Sequence, residues 1–427
     1  MRFVKQLALG SITALLLAAC GGGSEQAAKV TYSSVVSFGD SLSDAGTYGS
    51  QFTVNGVKGA IGSDPTPSYV AVQLIAAAIT GKPSCAARVG GFTYPVTSVP
   101  GCTNYAQGGA RVTDPVGPGN SGTAGSFDKA LTEPVVQQIQ NYLTTTGGQF
   151  TGKELVTVMA GGNDLFAQAD ALTAGANNAF ATSLITQLVS GASTQAGAAY
   201  AYAAVPPAVL SAAAATGATP TSIIIVAINA AAADATAHSY SNSAATLGNA
   251  ATLGAAAQLA AETYVGTTGI QNAAIAMATA GAELAAYVKD MKRNKGATRI
   301  MVVNIPDASG SPYAVKGGLT AVVLPMVTAF NAQLAAGLKG EPGVLLVDLF
   351  TETKNQFKTP AQFGLSNVTD AACDMTNLLS VSQCTVNTLL PGDKSRYAFA
   401  DSVHPTPYGQ KLMAQLMSKE LTLAGWL

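Results

Sequence analysis

The sequence predicts an α/β protein in which helices cover both faces of a mainly parallel, five-stranded sheet. Short runs rich in β-branched residues are apolar on both faces, and longer helix-like stretches separate them. Polar candidates for a functional site follow these runs directly, as is typical of the carboxyl ends of parallel strands. The candidate strands are Val35–Phe38, the weaker Thr103–Ala106, Leu155–Met159, Arg299–Asn304 and Val344–Leu349.

The first strand leads into the turn Gly39-Asp40-Ser41-Leu42. A serine placed there, where a helix could begin, lies near unpaired N–H groups that favour developing negative charge. Ser41 is therefore a candidate nucleophile, provided that a base accepts its proton. The alternative role is helix capping, which Ser43 or Asp44 could also perform.

A base stands near the far end of the chain, in Asp401-Ser402-Val403-His404-Pro405. Asp401 and His404 are three residues apart, so one local turn could bring the carboxylate to the imidazole and orient it. The chain has two histidines, and the other, His238, has no such partner nearby. We therefore interpret His404 as a general base and His238 as a surface or packing residue.

Two glycine-rich segments follow the next candidate strands. Asn104-Tyr105-Ala106-Gln107-Gly108-Gly109-Ala110-Arg111 overlaps the second, and Gly161-Gly162-Asn163-Asp164 follows the third. Each could be an ordinary turn. Each could also supply hydrogen-bond donors to an oxyanion, and glycine allows close backbone approach because it has no Cβ atom.

Together these residues resemble the four sequence blocks of the GDSL family of serine esterases and lipases, also called SGNH hydrolases. The blocks occur in family order between residues 35 and 409. The resemblance implies a three-layer α/β/α, flavodoxin-like fold and a serine hydrolase activity. It assigns catalysis to Ser41, His404 and Asp401, and the oxyanion hole to the Ser41 and Gly109 backbone N–H groups and the Asn163 side chain.

Two other kinds of enzyme, an α/β-hydrolase and an enzyme with paired carboxylates or a metal, fit the sequence less well. The first block lacks the second glycine of the Gly-x-Ser-x-Gly elbow, which disfavours an α/β-hydrolase fold. Asp40 and Asp164 could suggest paired carboxylates or a metal site, but no cluster of ligands accompanies them. The mechanism that the resemblance implies requires no metal and no organic cofactor.

Residues 171–280 interrupt the alternating pattern. They contain 39 alanines and two charged residues, Asp234 and Glu262. Alanine favours helix, whereas Pro206-Pro207 and Pro220 should divide the stretch into pieces. We expect a helical insertion within the hydrolase domain, acting either as packing scaffold or as a cover over the acyl-binding cleft.

The N-terminus has the features of an export signal. Residues 1–19 combine Arg2 and Lys5 with an apolar run that is too short to span a bilayer. Leu17-Ala18-Ala19-Cys20 resembles a bacterial lipobox, which implies a lipid-modified Cys20 followed by a flexible tether over residues 20–31. The alternative is an ordinary secretory signal. The hydrolase domain would then occupy residues 32–427.

Four further cysteines fit an exported, oxidising compartment. Their separation along the chain favours the disulfides Cys85–Cys102 and Cys373–Cys384, although four cysteines allow three pairings. The spacings do not match a zinc site. We expect a cell-envelope protein, an outer-membrane lipoprotein in the favoured interpretation and a secreted protein in the alternative.

Charge and composition constrain the partners. The net charge is −1 and 11% of residues are charged, which is not the electrostatic pattern of a nucleic-acid-binding protein. We expect an ester substrate, lipid-like or otherwise apolar, and membrane attachment through Cys20. A carbohydrate acetylesterase or phospholipase of the same family, and a non-catalytic surface-binding lipoprotein, are the alternatives. The oligomeric state stays open.

Overall fold

The computed structural model describes residues 30–56, 68–90, 96–117, 132–192, 198–237, 250–378 and 380–427. The signal segment 1–19, Cys20, most of the tether and His238 lie outside the described residues. The strands of the described part are β1 (Ser34–Gly39), β2 (Arg88–Val89), β3 (Thr97–Ser98), β4 (Glu154–Met159), β5 (Arg299–Val303), β6 (Val344–Val347), β7 (Asn367–Ala371) and β8 (Tyr397–Phe399).

The helices of the described part run between and after these strands. In chain order they are α1 (Ala71–Thr80), α2 (Val135–Thr145), α3 (Gly162–Ala192), α4 (Ala198–Ala214), α5 (Pro220–Ala237), α6 (Ala250–Tyr264), α7 (Ile270–Asn294), α8 (Pro312–Lys316), α9 (Thr320–Leu338), α10 (Leu349–Lys358) and α11 (Pro407–Leu423).

The central sheet contains four parallel strands in the order β1, β4, β5, β6. Each corresponds to a predicted strand. Because all four run in one direction, their carboxyl ends share one edge of the sheet, where the turns that carry Ser41 and Asn163 begin.

The predicted fifth strand, Thr103–Ala106, is not a strand of this sheet. The Tyr105 N–H donates to the carbonyl of Ser37 at 2.8 Å, and one parallel bridge joins Ser37 to Asn104. A further bond runs from the Gln107 N–H to the Gly39 carbonyl at 3.1 Å, but the ladder between them is incomplete because the Gly39 N–H donates to the Gln138 side chain instead of to this segment. Within the described residues, the sheet therefore has four strands rather than five.

Alternating strand residues enter two cores on opposite faces of the sheet. Val36, Phe38 and Val156 pack on one face with residues of α2, α7 and α9. Val35 and Leu155 pack on the other with residues of α1 and α11. This alternation is the period of a β-strand, and it produces the predicted three-layer α/β/α arrangement.

The described part of the alanine-rich insertion is helical except for a turn at residues 215–219, and it has a small core of its own. Phe180, Leu184, Val209 and Ile223 are buried together there. Pro206 and Pro207 lie inside α4 and do not end it, contrary to the expectation. Val209, just after them in the same helix, is fully buried in that core.

One helix of the described part, α9, is long and apolar enough to cross a membrane by length and composition. Its residues Val323, Met326, Val327 and Phe330 are fully buried in the core cluster that also contains residues of α7. This packing is typical of a core helix.

Candidate active site

Ser41 follows β1 in a tight turn whose shape depends on Gly39. A Cβ atom on Gly39 would lie 2.2 Å from the Met159 carbonyl oxygen on β4, so only glycine fits. No helix begins at Ser41, contrary to the expectation. The Asp44 carboxylate accepts N–H groups from Gly46 and Thr47 and holds a turn instead.

His404 and Asp401 lie in the loop between β8 and α11, beside Ser41. The Ser41 Oγ atom is 2.9 Å from His404 Nε2, and His404 Nδ1 is 2.8 Å from Asp401 Oδ2. The other carboxylate oxygen accepts the N–H groups of Val403 and His404, at 2.8 and 2.6 Å. Three hydrogen bonds thus fix the carboxylate against the imidazole, and Ser41 retains 8% of its surface.

Burial and charge act in opposite directions on this pair. Burial lowers the pKa of His404, but the charge of Asp401 and its hydrogen bond outweigh burial and raise that pKa above the usual 6.5. Burial raises the pKa of Asp401, yet the facing His404 and the hydrogen bonds lower it below the usual 3.8. The result favours an anionic Asp401.

Asp40 is a second buried carboxyl group near the imidazole. Burial raises its pKa from 3.8 to about 6, against the lowering effects of the Leu42 N–H group and His404. Asp164 adds to the rise. Asp164 itself accepts hydrogen bonds from Arg111 Nε at 3.1 Å and the Val112 N–H at 3.0 Å. It is therefore engaged in an ion pair with Arg111.

Asn163 is in the first turn of α3, and its Nδ2 atom donates to the Ala110 carbonyl at 2.9 Å. Among the described residues its second amide hydrogen has no acceptor, so it can donate to another group. Gly109 has φ +84°, which favours glycine, and it follows the turn at Gly108. Within the described part of the chain, the N–H groups of Ser41 and Gly109 have no hydrogen-bond partner.

Two residues that sequence reasoning missed hold this arrangement in place. Gln138 on α2 accepts from the Gly39 N–H and donates to the Gly39 carbonyl, each at 2.8 Å. The Phe52 ring lies 5.4 Å from the His404 ring and packs against Gly108. Neither residue belongs to a sequence motif. Each contact forms only in the folded protein, so the sequence alone does not reveal it.

Both expected disulfides, Cys85–Cys102 and Cys373–Cys384, are present. The second connects two segments at the site. The Cys373 N–H donates to the Ala400 carbonyl beside Asp401, and the Cys384 carbonyl accepts from the Asn55 N–H in the loop that carries Phe52. This disulfide therefore braces the surroundings of His404.

A cleft of about 100 Å³, partly open to solvent, begins at Ser41, Asn163 and His404. Its walls are mainly apolar. Gly109 does not line it, and neither does any described residue of the insertion at 171–280. Packing scaffold, the favoured role of the insertion, and a cover over the cleft, the alternative, both stay predictions.

Comparison with known protein families gives a match between residues 35–279 and the model of the GDSL-like Lipase/Acylhydrolase family. The chain belongs to this family. A search of curated proteins gave no match. Membership in the GDSL family makes the protein a hydrolase of the general esterase, lipase or acylhydrolase type, as the resemblance predicts.

The GDSL match contains Ser41, Gly109 and Asn163 and ends before Asp401 and His404. These last two residues are therefore connected to the family site by geometry, through the contact between His404 and Ser41.

Proposed function

We propose that the protein is an exported serine hydrolase that cleaves carboxylic esters through an acyl-enzyme on Ser41. The observation that carries this proposal is the continuous chain of contacts from Ser41 Oγ through the His404 ring to Asp401, at 2.9 and 2.8 Å. These distances are within the range for proton transfer between a nucleophile and its base.

In the proposed reaction, Ser41 Oγ attacks the ester carbonyl while His404 Nε2 accepts its proton. The His404 imidazolium is stabilised by Asp401 and then gives the proton to the departing alcohol. Water, deprotonated by His404, releases the acid and restores Ser41. The proposal requires no metal and no organic cofactor.

The oxyanion would be stabilised by the backbone N–H groups of Ser41 and Gly109 and by the Asn163 side chain. Support comes from the unpaired state of both N–H groups within the described residues and from the position of Asn163 in the cleft. The bond from Asn163 to the Ala110 carbonyl holds the side chain beside the Gly109 turn. Loss of one such donor typically lowers turnover by about a hundredfold or more.

The decisive experiment compares wild type and Ser41→Ala on p-nitrophenyl esters of two to twelve carbons. We expect hydrolysis by wild type, loss of at least about a thousandfold in Ser41→Ala, and a preference for acyl groups longer than acetyl because the cleft walls are apolar. Equal rates for both proteins would instead support a non-catalytic binding role. Preference for acetyl esters and acetylated xylan would support a carbohydrate acetylesterase.

Export and lipid anchoring are part of the same proposal. The two disulfides support an oxidising compartment outside the cytoplasm. Anchoring depends on Cys20, so Cys20→Ala should move the protein from the membrane fraction to the soluble fraction of its native host. Unchanged fractionation would contradict the anchor.

A further inference from the structure

The cleft contains a buried glutamine that the proposed mechanism does not use. Gln356, on α10, lines the cleft and is 7% exposed. Among the described residues its side-chain amide has no hydrogen-bond partner, and that amide retains access to the cleft. Buried side-chain amides are usually paired, so an unpaired one that faces a cleft indicates a ligand group.

A carboxylate lies beside the same helix. The Asp307 N–H donates to Thr353 Oγ1 at 2.8 Å, and Thr353 is one helical turn before Gln356. Asp307 is 7% exposed and also lines the cleft. One of its carboxylate oxygens accepts two hydrogen bonds from Ser309, whereas the second has no partner within the described part of the chain.

These two polar groups stand among apolar side chains. The surrounding cleft residues include Phe166, Ile305, Phe357, Phe399 and Met413. A purely apolar chain bound there would exclude water from both the amide and the carboxylate without replacing their hydrogen bonds, which is unfavourable. A hydroxyl group placed within reach of both would satisfy them, because it donates its hydrogen to the carboxylate and accepts from the amide N–H.

We propose that Asp307 and Gln356 form a hydroxyl-binding subsite, and that the preferred substrates are esters whose cleft-bound group is an aliphatic chain with an uncharged hydroxyl. The inference rests on the proposed function, since it assigns a substrate class to the cleft beside Ser41. An ammonium group would pair with Asp307 but would leave the N–H donors of Gln356 unmatched.

The test compares matched esters that differ by one terminal group. One series consists of p-nitrophenyl alkanoates of six to ten carbons with a terminal hydrogen, hydroxyl or trimethylammonium group. A second series of alkyl acetates carries the same groups on the alcohol. At one chain length in one of the two series, the kcat/KM of wild type should be about tenfold higher for the hydroxylated ester than for the ester with a terminal hydrogen.

The informative variant is Gln356→Leu, with Gln356→Met as a second apolar replacement of similar size. Both should lose the preference for hydroxyl, measured as the ratio of kcat/KM between matched esters, and thermal unfolding reports correct folding. Asn355→Leu is the matched control, because Asn355 is exposed on the same helix and does not line the cleft. It should behave as wild type.

Three results would overturn the subsite. They are Ser41-dependent hydrolysis without a hydroxyl preference in either series, an unchanged preference in both Gln356 variants, or a stronger preference for trimethylammonium. The serine hydrolase proposal would survive each of them. Full activity in Ser41→Ala would instead overturn the proposed function, whatever the chain preference.

Discussion

Of the residues outside the cleft, Gln138 should have the largest effect on the position of Ser41. Its fully buried side chain holds both backbone groups of Gly39, two residues before Ser41, and it also donates to the Glu133 carbonyl. In Gln138→Leu the Gly39 N–H loses its partner. The Gly39 carbonyl keeps one bond, from the Gln107 N–H at 3.1 Å.

An unpaired buried N–H group costs about 1–3 kcal/mol, so we expect Gln138→Leu to lower the free energy of unfolding by about 2 kcal/mol. Displacement of Ser41 by about 1 Å can cost about a hundredfold in turnover. Because Gln138 does not line the cleft, kcat should fall while KM changes little.

The assay combines urea unfolding with steady-state kinetics on p-nitrophenyl butyrate. Gln137→Leu is the matched control, because Gln137 is exposed on the same helix and bonds Asn141. Gln138→Glu should not restore turnover, because a carboxylate oxygen in place of Nε2 would face the Gly39 and Glu133 carbonyl oxygens without a hydrogen to donate. A change below about 0.5 kcal/mol together with wild-type kcat in Gln138→Leu would refute the reasoning.

Three further predictions concern two sets of titratable groups and one disulfide. Catalysis needs neutral His404, whose pKa is raised above 6.5, so kcat/KM should fall as the pH drops through a value above 6.5. Asp401→Asn should shift this acidic side of the pH profile to lower pH and reduce turnover by about 10³–10⁴-fold. A pH profile that does not shift would contradict the pairing of Asp401 with His404. Burial raises the pKa of Asp40 from 3.8 to about 6, so ionisation of this carboxyl group disfavours the folded state. In urea unfolding, Asp40→Asn should therefore be more stable than wild type by up to about 3 kcal/mol above pH 6 and by little below pH 4. A gain in stability that does not depend on pH would argue against the raised pKa. Replacing Cys373 and Cys384 with alanine should lower stability by about 2–3 kcal/mol and reduce turnover, whereas unchanged thermal unfolding would show that the disulfide braces nothing.

The sheet was predictable because its signal is local. The runs at Val35–Phe38 and Arg299–Asn304 are apolar on both faces, and the structure places strands at Ser34–Gly39 and Arg299–Val303. The weaker run Thr103–Ala106 was overestimated, because the Gly39 N–H, which a continuous ladder would use, donates to the Gln138 side chain instead. No periodicity in the sequence reveals that competition.

The candidate site could be predicted only where residues carry a motif. The contact between Ser41 and His404 joins positions 363 residues apart, and the motifs pointed to it. Gln138 was not predictable, since a glutamine between apolar helix positions resembles a solvated residue until the fold buries it. Gln356 was missed for the same reason, because its exposure to the cleft depends on the packing of α10 beside the loop of Asp307.

The central claim is that Ser41 is the nucleophile and His404 its base. The most direct measurement is labelling with a fluorophosphonate, which phosphonylates activated serines, followed by peptide mass spectrometry of wild type, Ser41→Ala and His404→Ala. We expect one adduct per wild-type chain, located on Ser41, no adduct in Ser41→Ala, and labelling at least about a hundredfold slower in His404→Ala. An adduct on another serine, or equally fast labelling without His404, would contradict the claim.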